Sequence, residues 1–164
     1  MDLIKQSGKE LLKNEIEAME EFGVWEECVE NDVPKACKLL GSKWVLKIKT
    51  TDCGLLESFK ARLVILGNQA RPYEHYDPTN VYSPVISYDS FRTLLAVGCA
   101  MDWEIRSADI KNAFLQGKID RDIYLRHPLK KLDNGRSAIV KLRRPLYGLV
   151  QSPMFFGKAL QEHF

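Results

Sequence analysis

The sequence lacks several features that define common classes of protein. It contains no run of about 18 apolar residues, which predicts that no helix spans a membrane. Its first residues have no apolar core of the kind that a secretory signal requires. The four cysteines and three histidines are scattered, with no C-x-x-C pair. This distribution argues against a zinc site and favours reduced thiols in an intracellular, cytoplasmic protein.

The net charge of the chain is small and is unevenly distributed. The formal net charge is +2, but residues 1–35 carry four lysines against ten acidic residues, a balance of −6, and the remainder carries +8. A basic body favours a polyanionic partner, although an ordinary solvated surface also fits a charge of this size. The length of 164 residues and the hydrophobic fraction of 45% predict one domain with its own core.

The first segment has the pattern of an amphipathic helix. Ser7–Glu10 fits a capping box, and apolar residues then recur at helical spacing, which predicts a helix over 8–21. Gly23 is expected to end this helix. Trp25 is expected to anchor the segment onto the body.

A β-hairpin is predicted next. Apolar residues alternate over 44–49 and again over 56–66, and the sequence Asp52-Cys53-Gly54 between them suits a turn. Lys60 and Arg62 fall on one face of the second strand. Two interpretations of this pair remain open, namely solubility and charge stabilisation of a nucleoside triphosphate.

The following segment predicts a long loop and then a helix. Residues 68–86 are rich in proline and asparagine, which is typical of a loop. Its tyrosines either stack on unpaired nucleic acid or pin the loop to the body. Ser87 suits the N-cap of a helix over 88–101, in which Gly98 is expected to make a close helix–sheet contact. Arg92 on this helix is a candidate contact for a nucleic acid strand.

A strand that ends in a carboxylate is predicted at the centre of the chain. Residues 103–110 alternate with a period of two, and Asp109 lies close to their end. Most carboxylates at such a place are loop caps or solvated strand ends, but one can also bind a metal ion, which nucleotidyl transfer requires to neutralise charge on the attacking and leaving oxygens. Phe114 follows five residues later.

The C-terminal third of the sequence is basic. Residues 126–144 carry seven lysines and arginines against one aspartate. One interpretation is that these cations follow a nucleic acid backbone. The other is a solvated hairpin, with a strand over 138–142 that follows a short strand at 123–125. The two interpretations are compatible. The candidate contacts are Lys130, Lys131, Arg143 and Arg144. A final helix is predicted to begin with Ser152 as N-cap and to turn Phe156, Ala159 and Leu160 inward.

Four segments in order resemble one known family. They are Lys43–Lys49 (KWVLKIK), Lys60–Val64 (KARLV) with Gly67, Tyr82–Val85 (YSPV) with Ser90–Arg92 (SFR), and Ser107–Gly117 (SADIKNAFLQG) with Leu146–Leu149 (LYGL). From about Leu11 onwards, the chain resembles the reverse transcriptase domain of Ty1/copia-type LTR retrotransposons.

The resemblance implies a set of site residues. It implies that Asp109 ligates Mg²⁺ or Mn²⁺, with help from the Ile110 carbonyl. Asn112 and Ala113 would offer backbone N–H groups to the triphosphate, and Phe114 would exclude the 2′-hydroxyl of a ribonucleotide. Arg62 and Lys60 would close on the incoming nucleotide, and Tyr147 and Gly148 would lie against the templating base pair.

The resemblance also implies a fold class and a division of the chain. The expected fold is α+β of the fingers/palm type, with an antiparallel sheet and packed helices, incomplete at the C-terminus. Residues 1–24 would form an N-terminal helix, residues 25–86 a fingers-like hairpin and loop, and residues 87–164 a partial palm. The other catalytic carboxylates of the family lie in an aromatic-x-Asp-Asp hairpin, and no Asp-Asp pair occurs in this sequence.

The expected function is therefore that of part of an RNA-directed DNA polymerase, inactive as this isolated chain. The implied partners are an RNA template, a DNA primer and deoxynucleoside triphosphates, in a cytoplasmic virus-like particle for the intact element. The alternative is a non-catalytic remnant or domesticated module that binds nucleic acid or protein. An unpaired sheet edge would favour self-association.

Overall fold

The fold was obtained as a computed structural model, which describes residues 2–163 and the side chains of residues 8–163. That part of the chain forms three helices and five strands. The helices are α1 (Asp2–Glu21), α2 (Tyr88–Ala100) and α3 (Ser152–Gln161), and the strands are β1 (Trp25–Cys28), β2 (Ser42–Thr50), β3 (Leu56–Ile65), β4 (Tyr124–Lys131) and β5 (Ser137–Leu142). The α+β class with antiparallel sheets is as expected. None of the described helices combines the length and hydropathy that crossing a membrane requires.

A three-stranded antiparallel sheet in the order β1-β5-β4 carries much of the core. Leu125, Val140 and Leu142 from this sheet are fully buried together with Val24 and Leu40, and each such side chain contributes about 1.5–3 kcal/mol. The predicted hairpin over 126–144 is confirmed, since β4 and β5 pair around a turn at Gly135, which has φ +76°. Strand β1 is an element that the sequence pattern did not indicate.

The β2–β3 hairpin is confirmed, with Gly54 in the predicted turn at φ +78°. Its register places Trp44 opposite Leu63 and Ile48 opposite Phe59. Leu63 is fully buried whereas Phe59 is 44% exposed. The apolar face is therefore covered only at the base of the hairpin, and the tip projects away from the core.

Helix α1 starts earlier than the capping box predicts. It begins at Asp2, so Ser7 lies inside the helix and the predicted start at residue 8 is wrong. Residues 3–6 are acceptable helix formers, and nothing in their sequence stops the helix at Ser7. The C-terminal end is as predicted, because the helix stops at Glu21 and Gly23 adopts φ +61°. Buried Ile16 and Met19 dock the helix on the core.

Helix α2 is confirmed, and Ser87 caps it by accepting a hydrogen bond of 3.1 Å from the Ser90 N–H. Most of its apolar face is open to solvent, with Leu94 54% exposed. A Cβ at Gly98 would lie 3.1 Å from Ile105 Cδ1, so the close contact exists. It is made with an irregular segment, and the expectation of a helix–sheet contact is wrong in that respect.

The predicted strand over 103–110 is not a strand. The segment has no regular secondary structure, and each of its residues is exposed. A strand is stabilised by ladder hydrogen bonds to a neighbour, and within residues 2–163 no strand pairs with this segment. The residue types do alternate over 103–110, but within the described residues this segment has no neighbouring strand to pair with.

Helix α3 begins one residue earlier than expected. Its N-cap is Gln151, and Ser152 is the first helical residue. The Ser152 hydroxyl donates a hydrogen bond of 2.6 Å to the Leu146 carbonyl instead of capping the helix. Met154 and Phe155 are buried, whereas the residues predicted to face inward, Phe156, Ala159 and Leu160, are only half-buried.

The loop predicted over 68–86 is irregular as expected, apart from a 3₁₀ turn at its start. Tyr73 and Tyr82 are largely exposed and do not pin it. Buried His75 holds the loop instead, since Gln151 Nε2 donates a hydrogen bond of 2.9 Å to its carbonyl. The loop is therefore tied to the start of α3.

Candidate functional site

The principal candidate site is a pocket of about 600 Å³ between α1, β3, the segment 109–112 and the turn that precedes α3. Six residues that the sequence analysis selected line this one pocket although they are far apart in the chain. They are Lys60, Arg62, Asp109, Ile110, Asn112 and Tyr147. The fold thus brings the cationic strand and the carboxylate together.

The turn containing Tyr147 is fastened to β3. The Ile65 N–H donates a hydrogen bond of 2.8 Å to the Tyr147 carbonyl. Gly148 adopts φ +92°, and a side chain there would collide with the Ile65 carbonyl. Only glycine meets both conditions, so Gly148 has a structural reason to be where the sequence analysis placed a nucleotide contact.

The ring of Tyr147 supports the guanidinium of Arg62. The Arg62 Cζ atom lies 5.2 Å from the ring centroid, within the range of a cation–π interaction. This contact directs the arginine along the wall of the pocket.

One face of the hairpin is strongly basic. Antiparallel pairing places Lys47 directly opposite Lys60, and Val45 opposite Arg62. Like charges in such positions destabilise a hairpin. The cations on this face are Lys43, Lys47, Lys49, Lys60 and Arg62, and in the described part of the chain none of them is in an ion pair. The face is therefore a ready site for an anion.

The segment around Asp109 presents oxygen donors to solvent. Asp109 and Ile110 are both exposed, and both line the pocket. Asn112 adopts a left-handed conformation with φ 53° and ψ 40°, which asparagine tolerates better than most residues. A short 3₁₀ helix, Ala113–Gln116, follows directly after the pocket residue Asn112.

Phe114 lies behind the pocket wall and is half-buried. Its ring meets the Tyr147 ring edge-on with centroids 4.7 Å apart, and the Phe156 ring lies 6.5 Å away. These contacts give the ring a packing role beside the role that the resemblance implies.

The residues selected as nucleic acid contacts lie outside this pocket, and several have protein partners. Lys130 forms an ion pair with Glu27, and Arg143 with Glu26 at 2.5 Å. The remaining partners are the Ser137 hydroxyl for Lys131, the Leu115 carbonyl for Arg144 and the Tyr88 ring for Arg92. The acidic early segment thus neutralises part of the later basic one.

The sequence analysis missed Glu15. This residue of α1 lines the pocket together with its neighbours Leu11 and Asn14. Burial raises the pKa of the Glu15 carboxyl, and the positive charge of Arg62 acts in the opposite direction. The helical pattern places Glu15 on the polar side of α1, but no sequence signal indicates that β3 passes beside it.

A group of potential metal ligands, Cys37, Glu74 and His75, lies outside the pocket. Both ring nitrogens of His75 are occupied, since Nδ1 accepts from the Arg71 N–H at 3.0 Å and Nε2 donates to the Lys38 carbonyl at 2.9 Å. A metal ion would have to displace one of these bonds. The group is therefore a loop anchor.

The second buried histidine, His127, is 4% exposed. Its Nδ1 accepts hydrogen bonds from the N–H groups of Leu129 and Lys130, at 3.2 and 2.8 Å. Its Nε2 lies 3.7 Å from a Glu20 carboxylate oxygen. Burial lowers the pKa of His127, and Glu20 partly offsets this effect.

Comparison with known proteins shows which family the chain belongs to. The family described as "Reverse transcriptase (RNA-dependent DNA polymerase)" matches residues 24–164. The chain belongs to this family. No solved structure matches it.

The relatives of this reverse transcriptase chain are proteins of copia-type transposons. It is 40% identical over 121 residues to the Retrovirus-related Pol polyprotein from transposon RE1 of Arabidopsis thaliana. The matched region covers 73% of the chain and 8% of that protein. It is 34% identical over 144 residues to the corresponding polyprotein from transposon TNT 1-94 of Nicotiana tabacum. This matched region covers 87% of the chain and 10% of that protein. The chain thus spans about a tenth of the length of the curated relatives it matches.

Proposed function

We propose that the pocket between α1, β3 and Asp109 is the nucleotide-binding half of an RNA-directed DNA polymerase site. The carrying observation is the convergence of the basic hairpin face and the Asp109 carboxylate on one pocket. Arg62 and Lys60 would bind the triphosphate, and the N–H groups of Asn112 and Ala113 would add hydrogen bonds. In this arrangement the β2–β3 hairpin acts as the fingers and the later segments as part of the palm.

The donor atoms near Asp109 suit a hard divalent cation. A carboxylate and a backbone carbonyl, from Asp109 and Ile110, are the oxygen ligands that Mg²⁺ or Mn²⁺ prefers. Both residues are exposed, so an ion can keep several waters. When bound, the ion would neutralise phosphate charge during nucleotidyl transfer. The chain's own residues bind and orient the nucleotide.

Phe114 would act through the wall of the pocket. It packs against Tyr147, which carries the Arg62 guanidinium. A bulky ring at this place would restrict the sugar of the incoming nucleotide to one without a 2′-hydroxyl. An RNA template and a DNA primer would be the remaining partners, and the basic hairpin face would bind them. Further contacts would come from Lys130 and Arg143, once their ion pairs open, and from Lys131, Arg144 and Arg92.

The experiment is a titration of the chain with a deoxynucleoside triphosphate and Mg²⁺, followed by calorimetry. We expect weak binding that Arg62→Gln reduces at least about tenfold, because a hydrogen bond to a charged group contributes about 1.5–3 kcal/mol. Asp109→Asn should remove the Mg²⁺ dependence without abolishing binding. Arg136→Gln is the matched control, since Arg136 pairs with Glu30 far from the pocket. Equal affinity in all four proteins would refute the proposal.

A further inference from the structure

The structure shows a helix-borne carboxylate in the pocket where phosphates are proposed to bind. Helix α1 is held in place by Ile16 and Met19, which are buried in the core. Residues 11, 14 and 15 are spaced by three and four positions and therefore share one side of the helix. That side lines the pocket that also contains Arg62 and Asp109.

Glu15 does not fix the geometry of Arg62. Among the side chains of residues 8–163, none makes a hydrogen bond or ion pair with the Glu15 carboxylate. Arg62 is oriented by the ring of Tyr147. The interaction between Glu15 and Arg62 is therefore one of charge across the pocket, without a shared bond.

A half-buried carboxylate at this place affects anion binding. Its negative charge offsets the positive charge of Arg62 when the pocket is empty, and it repels phosphate oxygens when the pocket is filled. Because α1 is docked on the core, the carboxylate cannot move far away. The repulsion is felt most by the most highly charged ligand.

We propose that Glu15 is a specificity-determining residue that weakens the binding of uncomplexed polyphosphates in this pocket. Its charge discriminates against anions that arrive without a neutralising cation and so leaves the pocket available to less charged nucleotide complexes. The proposal rests on the proposed nucleotide-binding function of the pocket. It assigns to α1 a role in ligand selection in addition to packing.

The test measures the binding of inorganic triphosphate to the full chain in the presence of a chelator, so that divalent ions play no part. Glu15→Gln keeps the size of the side chain and removes its charge. We expect this variant to bind triphosphate about threefold to tenfold more tightly than the unaltered chain. The gain should shrink at high salt, because screening weakens the repulsion that the wild-type residue exerts.

The matched control is Glu17→Gln on the same helix. Glu17 is exposed and pairs with Lys13 at 3.4 Å, so this variant makes the same change in net charge at a place away from the pocket. We expect it to leave triphosphate binding unchanged. A tighter complex in both variants would show a general charge effect and would overturn the role of Glu15.

Failure of the inference and failure of the proposed function give different results. If Arg62→Gln weakens triphosphate binding but Glu15→Gln binds like the unaltered chain or less tightly, Glu15 is not a selector while the pocket remains an anion site. If neither Arg62→Gln nor Glu15→Gln changes binding, the pocket is not the anion site and both proposals are refuted. Thermal unfolding of each variant confirms that the chain is folded.

Discussion

The guanidinium of Arg62 lies 5.2 Å from the centre of the Tyr147 ring, although 85 positions separate the two residues in the chain. The contact joins the projecting hairpin to the turn before α3. It is reinforced by the backbone hydrogen bond from Ile65 to Tyr147. The cation of the pocket is thus aimed by a residue that belongs to a distant part of the fold.

Removing the Tyr147 ring should weaken nucleotide binding. A cation–π contact at a partly exposed site contributes about 0.5–1 kcal/mol, so Tyr147→Leu is expected to lower triphosphate affinity about twofold to fivefold. Tyr147→Phe keeps the ring and should bind as the unaltered chain does. Calorimetric titration of the three proteins checks this. Equal losses in both variants would assign the effect to the hydroxyl group instead of the ring.

Replacing Phe114 should affect both stability and sugar discrimination. Phe114→Val removes ring contacts with Tyr147 and Phe156 and is expected to cost about 1–3 kcal/mol of unfolding free energy, measured by urea denaturation. In a protein extended through the aromatic-x-Asp-Asp hairpin of the family and through its thumb, the part that holds the primer end, the same variant should incorporate ribonucleotides in primer extension. If the variant folds and still discriminates between ribonucleotides and deoxyribonucleotides as before, the role of Phe114 is limited to packing.

The chain of 164 residues is expected not to polymerise. Two-metal nucleotidyl transfer needs several carboxylates around ions roughly 4 Å apart, and among the described residues only Asp109 and Glu15 bring carboxylates to the pocket. Mg²⁺-dependent extension of an RNA-templated primer should appear only in the extended protein and should be lost there with Asp109→Ala. Activity of the short chain that disappears with this substitution would contradict the prediction.

Nucleic acid binding is expected to depend on the hairpin face. Lys43 and Lys47 have no acidic partner within the described residues. The double variant Lys43→Gln with Lys47→Gln should therefore reduce the slope of the logarithm of the single-strand binding constant against the logarithm of salt concentration by about 1.4. Lys130→Gln with Arg143→Gln makes the same charge change at paired residues, and its effect should be smaller. Filter binding at several salt concentrations measures both. The reverse order would locate the interface on β4 and β5.

Stability should fall as the pH is lowered below about 6.5. Burial lowers the pKa of native His127 from its ordinary value of 6.5, so below that pH the unfolded chain binds the proton first and gains stability relative to the native chain. The charged groups around the ring are Glu20, Glu27 and Lys130. Denaturant unfolding at about pH 7.5 and 5.5 should show the loss.

The matched variant for the pH experiment is His127→Asn. Its side-chain oxygen can accept the hydrogen bonds that Leu129 and Lys130 now donate to Nδ1, and it does not titrate. We expect a shallower fall in unfolding free energy with pH than in the unaltered chain. An unchanged slope would assign the acid sensitivity to other groups.

Local signals predicted much of the fold. The turn at Gly54, the alternating strands around it and the Ser87 cap each depend on residues close in sequence, and the structure confirms all three. The strand over 103–110 failed because period-two alternation describes one face of a chain and does not provide a pairing partner. Strand β1 was missed because two of its four residues are glutamates, which are uncommon in strands.

The motif residues of the candidate site could be predicted from the sequence, but the residues that the fold places beside them could not. Motifs identified Arg62, Asp109 and Tyr147, and these do meet in one pocket. Packing brings Glu15 to the pocket, and strand register places Lys47 opposite the pocket residue Lys60. No short sequence pattern contains either relationship. Long-range contacts of this kind have to be observed.

The pairing of β1 with β5 also sets an order of events during synthesis. Glu26 of β1 lies opposite Lys141 of β5, and its ion-pair partner Arg143, directly after β5, is 117 positions away in the chain. At typical translation rates of about 5–20 residues per second, β1 therefore waits several seconds on the ribosome before its partner emerges. During that interval Val24 and Leu40 have no sheet to cover them, so the nascent chain should be a chaperone client until β5 has left the exit tunnel.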